Sequence, residues 1–255
     1  MSAHDLSVRE TALTLLRGGM PNAEVARRLD VPVGTVGWWR HEDRKHRGEP
    51  YTRPADCPIC TDRPFDHRAY AYLLGLYLGD GHIVSKHKQH HLSIFCDATQ
   101  TGLIDAAEDA MHRVMPQQKT GRRRQRGCVE VKSYAHHWPC LFPQHGPGKK
   151  HDRQITLESW QQDIVDAHPW EFVRGLIHSD GCRTTNWTVR NGKRYEYPRY
   201  FFTNKSDDIR GLLTDTLTRL GVRWTVLKRD GDPFNVSVAR KECVALMDRH
   251  VGPKH

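Results

Sequence analysis

Two aspartates close two similar stretches of this chain, and each is followed by glycine. The stretches are Leu73-Leu74-Gly75-Leu76-Tyr77-Leu78-Gly79-Asp80-Gly81 and Val173-Arg174-Gly175-Leu176-Ile177-His178-Ser179-Asp180-Gly181. Read as helices, each places small residues four apart on one face, Gly75 with Gly79 and Gly175 with Ser179. Two such helices can approach backbone to backbone and bring their terminal acids side by side. A carboxylate at a helix C-terminus is opposed by the macrodipole, and a glycine after it is the usual left-handed terminator. Helix stability therefore does not explain Asp80 and Asp180. A shared divalent-cation site does, against the plainer reading of two packing helices whose acids cap turns.

The elements around the acids repeat as well. Gly75 and Gly175 are 100 residues apart, and comparable segments follow each motif. After the first, alternation predicts a hairpin of Ile83–Val84 with Leu92–Phe95, a helix over Thr101–Val114, and strands at Gly121–Arg124 and Val129–Lys132. After the second it predicts Arg183–Arg190 paired with Arg194–Phe202 and a helix from Asp207 to Leu220 with Ser206 as N-cap. Strands Val222–Leu227 and Phe234–Val238 and a closing helix over Lys241–His250 complete the set. Phe142–His151, rich in Pro, Gly and His, joins the two sets.

The paired motifs resemble the LAGLIDADG homing endonucleases of the two-motif, single-chain type, over residues 68–250. The resemblance implies an α+β fold of two pseudo-symmetric αββαββα halves, 68–145 and 146–255, forming a DNA-binding saddle in a monomer. It implies a site-specific, Mg²⁺- or other divalent-cation-dependent double-strand DNA endonuclease. The metal would be held by Asp80 and Asp180 with the backbone carbonyls of Gly79 and Ser179. Basic residues late in each half would order water at the scissile phosphate, by position Lys132 and either Arg240 or Lys241. Gln100 and Lys205 precede the middle helices in comparable places. The alternative is a non-cleaving DNA-binding regulator on the same scaffold, a kind known in bacteria; an intact pair of acids favours the nuclease.

Charge points to the same partner. The net charge is +9, and the excess is clustered in Arg122, Arg123, Arg124 and Arg126, and again in Arg183, Arg190, Lys193 and Arg194. Such clusters suit a polyanion, and guanidinium forks suit phosphate. Period-two alternation puts Thr184, Asn186, Thr188 and Arg190 on one face and Thr185, Trp187 and Val189 on an apolar one, so the first face can read base edges in a major groove.

Residues 1–50 form a separate unit. Ser7 with Glu10 reads as a capping box before Ala12, Leu13 and Leu16, and a second helix follows Asn22 and breaks at Asp30-Val31-Pro32. A third, Val33–Arg40, carries Thr35, Trp38 and Arg40 outward. Together they resemble a homeodomain-like helix-turn-helix, with a small protein-docking unit as the alternative. Residues 41–66 read as a basic, Pro-rich linker, taken in the domain division as 51–67. Within it, Cys57 and Cys60 have zinc-knuckle spacing but lack a second CxxC. Zn²⁺ there would need His67, or His145, His151 or Cys140 from a distance; otherwise they are unliganded thiols. The histidine runs His87–His91 and His136–His137 read as turns near DNA. Seven cysteines, an odd number without a signal peptide, suggest a reducing cytoplasmic, nucleoid-associated setting. The apolar run Tyr70–Leu78 falls short of the about 20 residues a membrane span needs.

Overall fold

A computed structural model of the protein describes residues 6–48, 57–86, 89–229, 232–252 and 254. Residues 51–56 of the expected linker, and His87, lie outside that set. The chain divides into two units, Met1–Ala55 and Asp56–His255.

In the first unit, helices α1 (Leu6–Arg17), α2 (Asn22–Leu29) and α3 (Val33–His46) bury a small core of Ala12, Leu16, Val25, Ala26, Val31, Val36 and Trp39. Three expectations change. Ser7 lies inside α1, where its carbonyl accepts from Thr11 Oγ1 at 2.8 Å, so it is no N-cap. The third helix runs six residues beyond Arg40, to His46, because His41–His46 contains no breaker and Asp43 pairs with Arg47 one turn on, at 3.0 Å. Arg40 turns back to donate to Asn22 Oδ1 at 3.0 Å, leaving Trp38 exposed with the Arg9 guanidinium over its ring.

The second unit opens with a one-turn helix α4 (Pro58–Thr61). The first half then follows as α5 (His67–Asp80), β1 (Gly81–Lys86), β2 (Gln89–Asp97), α6 (Thr101–Val114), β3 (Thr120–Gln125), β4 (Cys128–Tyr134) and a short α7 (Trp138–Leu141). After a 3₁₀ turn at Lys150–Asp152 and α8 (Ser159–Ala167), the second half repeats the order. It comprises α9 (Pro169–Asp180), β5 (Gly181–Arg190), β6 (Lys193–Thr203), α10 (Asp207–Arg219), β7 (Thr225–Arg229), β8 (Asp232–Val238) and α11 (Lys241–His250). Two antiparallel four-stranded sheets result, ordered β1-β2-β4-β3 and β5-β6-β8-β7. One apolar core runs through both halves, with α5 buried along nearly its whole length. α8 was not expected. Its N-terminus is a capping box between Glu158 and Gln161, in which an acid stands where Ser or Thr is usual. Among the described residues no helix is long and apolar enough to cross a membrane.

Cross-strand partners point to the same side of a sheet, which fixes the faces. Ile83, Leu92, Ile94, Cys96, Val129 and Val131 of the first sheet, and Tyr200, Phe202, Val236 and Val238 of the second, are buried on the helix side. The opposite, open faces carry the polar residues, of which Ser93, Glu130 and Ser237 are themselves buried. The expected parity of β5 holds, since Thr184, Asn186, Thr188 and Arg190 share the open face with Arg199, Tyr197, Tyr195 and Lys193. The apolar face does not become core: the β5–β6 hairpin outruns the helices, and Trp187 is 59% and Val189 54% exposed.

Candidate active site

The acids meet because the motif helices meet. A Cβ on Gly75 would lie 2.6 Å from the carbonyl oxygen of Phe172 and 2.7 Å from Leu176 N, and one on Gly175 would run into the carbonyl of Tyr72. No side chain larger than hydrogen fits at either position. At the C-terminal end Gly79 faces Ser179, and a Cβ there would lie 3.0 Å from Asp180 Oδ2. The glycines after the acids differ from expectation. Gly81 has φ −95° and Gly181 φ −107°, both extended, because each strand leaves its helix without a turn. They are glycines for space: a Cβ on Gly81 would lie 2.5 Å from Tyr77 Cα, and one on Gly181 2.8 Å from Ile177 Cα.

Asp80 and Asp180 are mostly buried. Burial, and then the charge of Asp180, push the Asp80 carboxyl up to about 6. Asp180 is also raised by burial, but the Asn204 amide donates to its Oδ2 at 2.6 Å and opposes the shift. Two lysines complete the site. The Lys150 ammonium donates to the carbonyls of Tyr77, Leu78 (3.1 Å) and Gly79 (2.9 Å), and Lys254 donates to the carbonyl of Ser179 at 2.8 Å. The last carbonyls of a helix have no intrahelical partner and carry the negative end of its dipole. Each lysine satisfies those groups and sets a cation beside an acid. Burial depresses both amines, Lys150 to about 8, against the pull of the two aspartates.

The lysines were not foreseen. Their trace in the sequence is a Gly-Pro followed by lysine after the last strand of each half, Gly146-Pro147 before Lys149-Lys150 and Gly252-Pro253 before Lys254. Of the basic residues that were expected, Lys205 lines the cleft at Asp180 with Gly79, His82, Lys150 and Asn204. Lys132 is on the open face of β4, over the ring of Tyr134. Arg240 and Lys241 are exposed at the start of α11, and Arg240 borders a different hollow with Thr218 and Trp224. Gln100 is the residue before α6 and makes no side-chain cap. Lys132, Arg240, Lys241 and Gln100 are not among the residues lining the cleft at Asp180. The Gly79 and Ser179 carbonyls do lie at the acids, already accepting from the lysines.

The open faces form the candidate nucleic-acid surface, and the registers sort the arginines. Arg122 and Arg124 stand opposite Val131 and Val129, on the helix side. Arg122 is held there by Asp105 and Glu108 of α6. Arg123 is on the open face, paired at 3.0 Å with Glu130, and Arg126 is in the β3–β4 turn. In the second half Arg183 forms a two-pronged pair with Asp248 of α11, at 2.7 and 2.9 Å. Arg194 lies on the helix-side face over Trp187 and pairs with Glu196 at 3.0 Å. The open ribbon thus keeps Thr184, Asn186, Thr188, Arg190 and Lys193, with Arg199 at the end of the same basic stretch, and adds Tyr195 and Tyr197, which charge and spacing did not mark.

No known family model matches the chain, and no curated protein does. Among solved structures, LAGLIDADG proteins show a partial likeness. Mesophilic variants of the homing endonuclease I-DmoI share 15% identity at a TM-score of 0.48, covering 72% of this chain and 89% of that one. The LAGLIDADG meganuclease I-AabMI bound to uncleaved DNA shares 12% at 0.46, covering 71% and 83%. The N-terminal LAGLIDADG domain of WhiA shares 9% at 0.47, covering 81% and 92%.

Proposed function

We propose that the chain is a site-specific, metal-dependent double-strand DNA endonuclease in which Asp80 and Asp180 hold the divalent cations, Mg²⁺ in the cell. The observation that carries this reading is the pair of carboxylates buried at adjoining helix ends. Burial and mutual repulsion work against their charge, so a scaffold that only held DNA would be more stable without them. The donor set fits a hard cation, since it offers two carboxylates with backbone carbonyls beside them and no sulfur or imidazole ligand in the pair. A cation bound there supplies Lewis-acid stabilisation of the phosphodiester oxygens and a more acidic attacking water.

The chain's own groups have separate tasks. Asn204 orients Asp180 through its amide. Lys150 and Lys254 pin the ends of α5 and α9 and keep fixed positive charge next to the place where the phosphorane charge develops. Lys205, at the mouth of the same cleft, is placed to meet a backbone phosphate. The open ribbons provide phosphate contacts from Arg190, Lys193 and Arg199, and base-edge donors and acceptors from Asn186, Thr184 and Thr188. The three-helix unit 1–50 adds a second DNA contact through Thr35 and Trp38.

Incubating the protein and Mg²⁺ with a randomised duplex library and sequencing the new ends tests the reading. The expected result is recurrent cleavage at one family of sites that disappears with a chelator and in Asp80→Asn and Asp180→Asn. Tight binding with no cleavage on any target would instead identify a non-cleaving DNA-binding regulator.

A further inference from the structure

The short helices α4 and α7 are 77 positions apart in sequence, counted from Cys60 to His137, and pack together in space. They are built alike. α4 is preceded by Cys57 at its N-cap and contains Cys60; α7 is preceded by His137 at its N-cap and contains Cys140. Each has proline in its first turn, Pro58 and Pro139, where the missing N–H costs nothing. The two turns Cys-Pro-Ile-Cys and His-Trp-Pro-Cys therefore each present two ligand atoms from one end of a helical turn, and the four atoms lie within 4.8 Å of one another.

The separations discriminate between accidental thiols and a coordination shell. Cys60 Sγ is 3.6 Å from Cys140 Sγ and 3.5 Å from His137 Nδ1, and Cys140 Sγ is 3.6 Å from His137 Nδ1. A tetrahedron with Zn–S of about 2.3 Å and Zn–N of about 2.0 Å has S–S edges of roughly 3.8 Å and S–N edges of roughly 3.5 Å. Three edges of that tetrahedron are already present. Three thiols and an imidazole form a closed set without an open position, which suits a structural rather than a catalytic metal. We propose that Cys57, Cys60, His137 and Cys140 bind one structural zinc ion, which staples the segment ahead of α5 to the turn that follows the first sheet.

The site differs from the one sequence spacing suggested. His67 starts α5 and packs against Phe65, His145 meets Ser85, and His151 lies beside Asp152. Of the expected partners only Cys140 joins the group, and His137 joins with it; their His-x-x-Cys spacing is the second half of the knuckle pair. The staple holds the core side as well: next to Cys140, the Leu141 carbonyl accepts from Tyr70 of α5, and Trp138, Leu141 and Phe142 are fully buried. Zinc binding should therefore support the base of the first motif helix without touching the chemistry at its other end.

The test is the zinc content of the full chain, purified from zinc-supplemented medium with no affinity tag that binds metal. Elemental analysis should find about one zinc per chain. Cys57→Ser and Cys140→Ser should lose it, while Cys128→Ser and the double variant Asp80→Asn/Asp180→Asn should keep it, which separates this site from the proposed catalytic cations. If the cysteine variants do not fold, Co²⁺ exchanged into the wild-type protein serves instead. It should give the thiolate-to-cobalt charge-transfer absorption and the intense d–d bands of a tetrahedral sulfur-rich site. Zinc-free protein without that cobalt spectrum, retention of zinc by both folded cysteine variants, or a Cys60–Cys140 disulfide found by mass spectrometry in the native chain would overturn the proposal.

Discussion

Asp80 and Asp180 end equivalent helices, yet the strand behind each treats it differently. In the second half the residue after β6 is Asn204, whose backbone N–H donates to Phe234 O at 3.2 Å and whose side chain reaches Asp180. In the first half the equivalent residue after β2 is Ala98, whose N–H donates to Gly127 O at the same 3.2 Å. Among the described residues no side chain donates to Asp80. The ribbons differ too. β1 and β2 span 6 and 9 residues, and β5 and β6 span 10 and 11. One scaffold thus carries two unequal half-sites: the first holds the more strained acid, and the second has the longer DNA ribbon.

The largest expected effect removes the comparison itself. Gly175→Val should cost more than about 3 kcal/mol, because the new side chain meets backbone rather than a movable group. Chemical denaturation should show both halves unfolding, while a native-like transition would mean that the helices do not pack at these glycines. Next is the acid imbalance. Because the folded pKa of Asp80 is raised, the folded state binds more protons than the unfolded state between about pH 4 and 6. Its stability contribution therefore falls as pH rises through that window. Asp80→Asn should stabilise the metal-free protein at pH 7 by about 3 kcal/mol and leave it unchanged near pH 3. Thermal melts at the two pH values check this, and equal shifts at both would contradict it.

Ala98→Asn sharpens the contrast by installing the missing amide. Carboxyl NMR should show Asp80 titrating about one pH unit lower, and Asn204→Ala should raise Asp180 in the same experiment. If neither moves, the acids do not feel these positions. The ribbons should give the smallest effect. Arg190→Ala or Lys193→Ala should each flatten the log–log salt dependence of duplex binding by about 0.9, whereas Arg122→Ala, already neutralised by α6, should leave the slope nearly unchanged. Equal effects in both halves would erase the asymmetry.

The sequence carries the motif helices and the strands that follow them because their signals are local: small residues four apart, alternation in β5, and Ser206 capping α10 through Ile209 N. What it concealed depended on distant parts of the chain. Lys150 and Lys254 lie in a Pro/Gly-rich connector and in the tail, segments without periodicity, and matter only because the helix ends come to them. Whether Arg122 faces DNA or α6 depends on which strand it pairs with, and neither charge nor spacing carries that register. Cys57 and Cys60 looked like half of a site because the other half is His-x-x-Cys rather than a second CxxC.

The central claim, that Asp80 and Asp180 jointly hold divalent cations, is tested most directly by Mn²⁺ titration with paramagnetic resonance in the presence of saturating duplex, which needs no knowledge of the cleavage target. Wild-type protein should bind Mn²⁺ with an affinity that weakens below about pH 6 as Asp80 takes up its proton, and Asp80→Asn or Asp180→Asn should each weaken it at least about tenfold. Wild-type Mn²⁺ affinity in both variants would contradict the account.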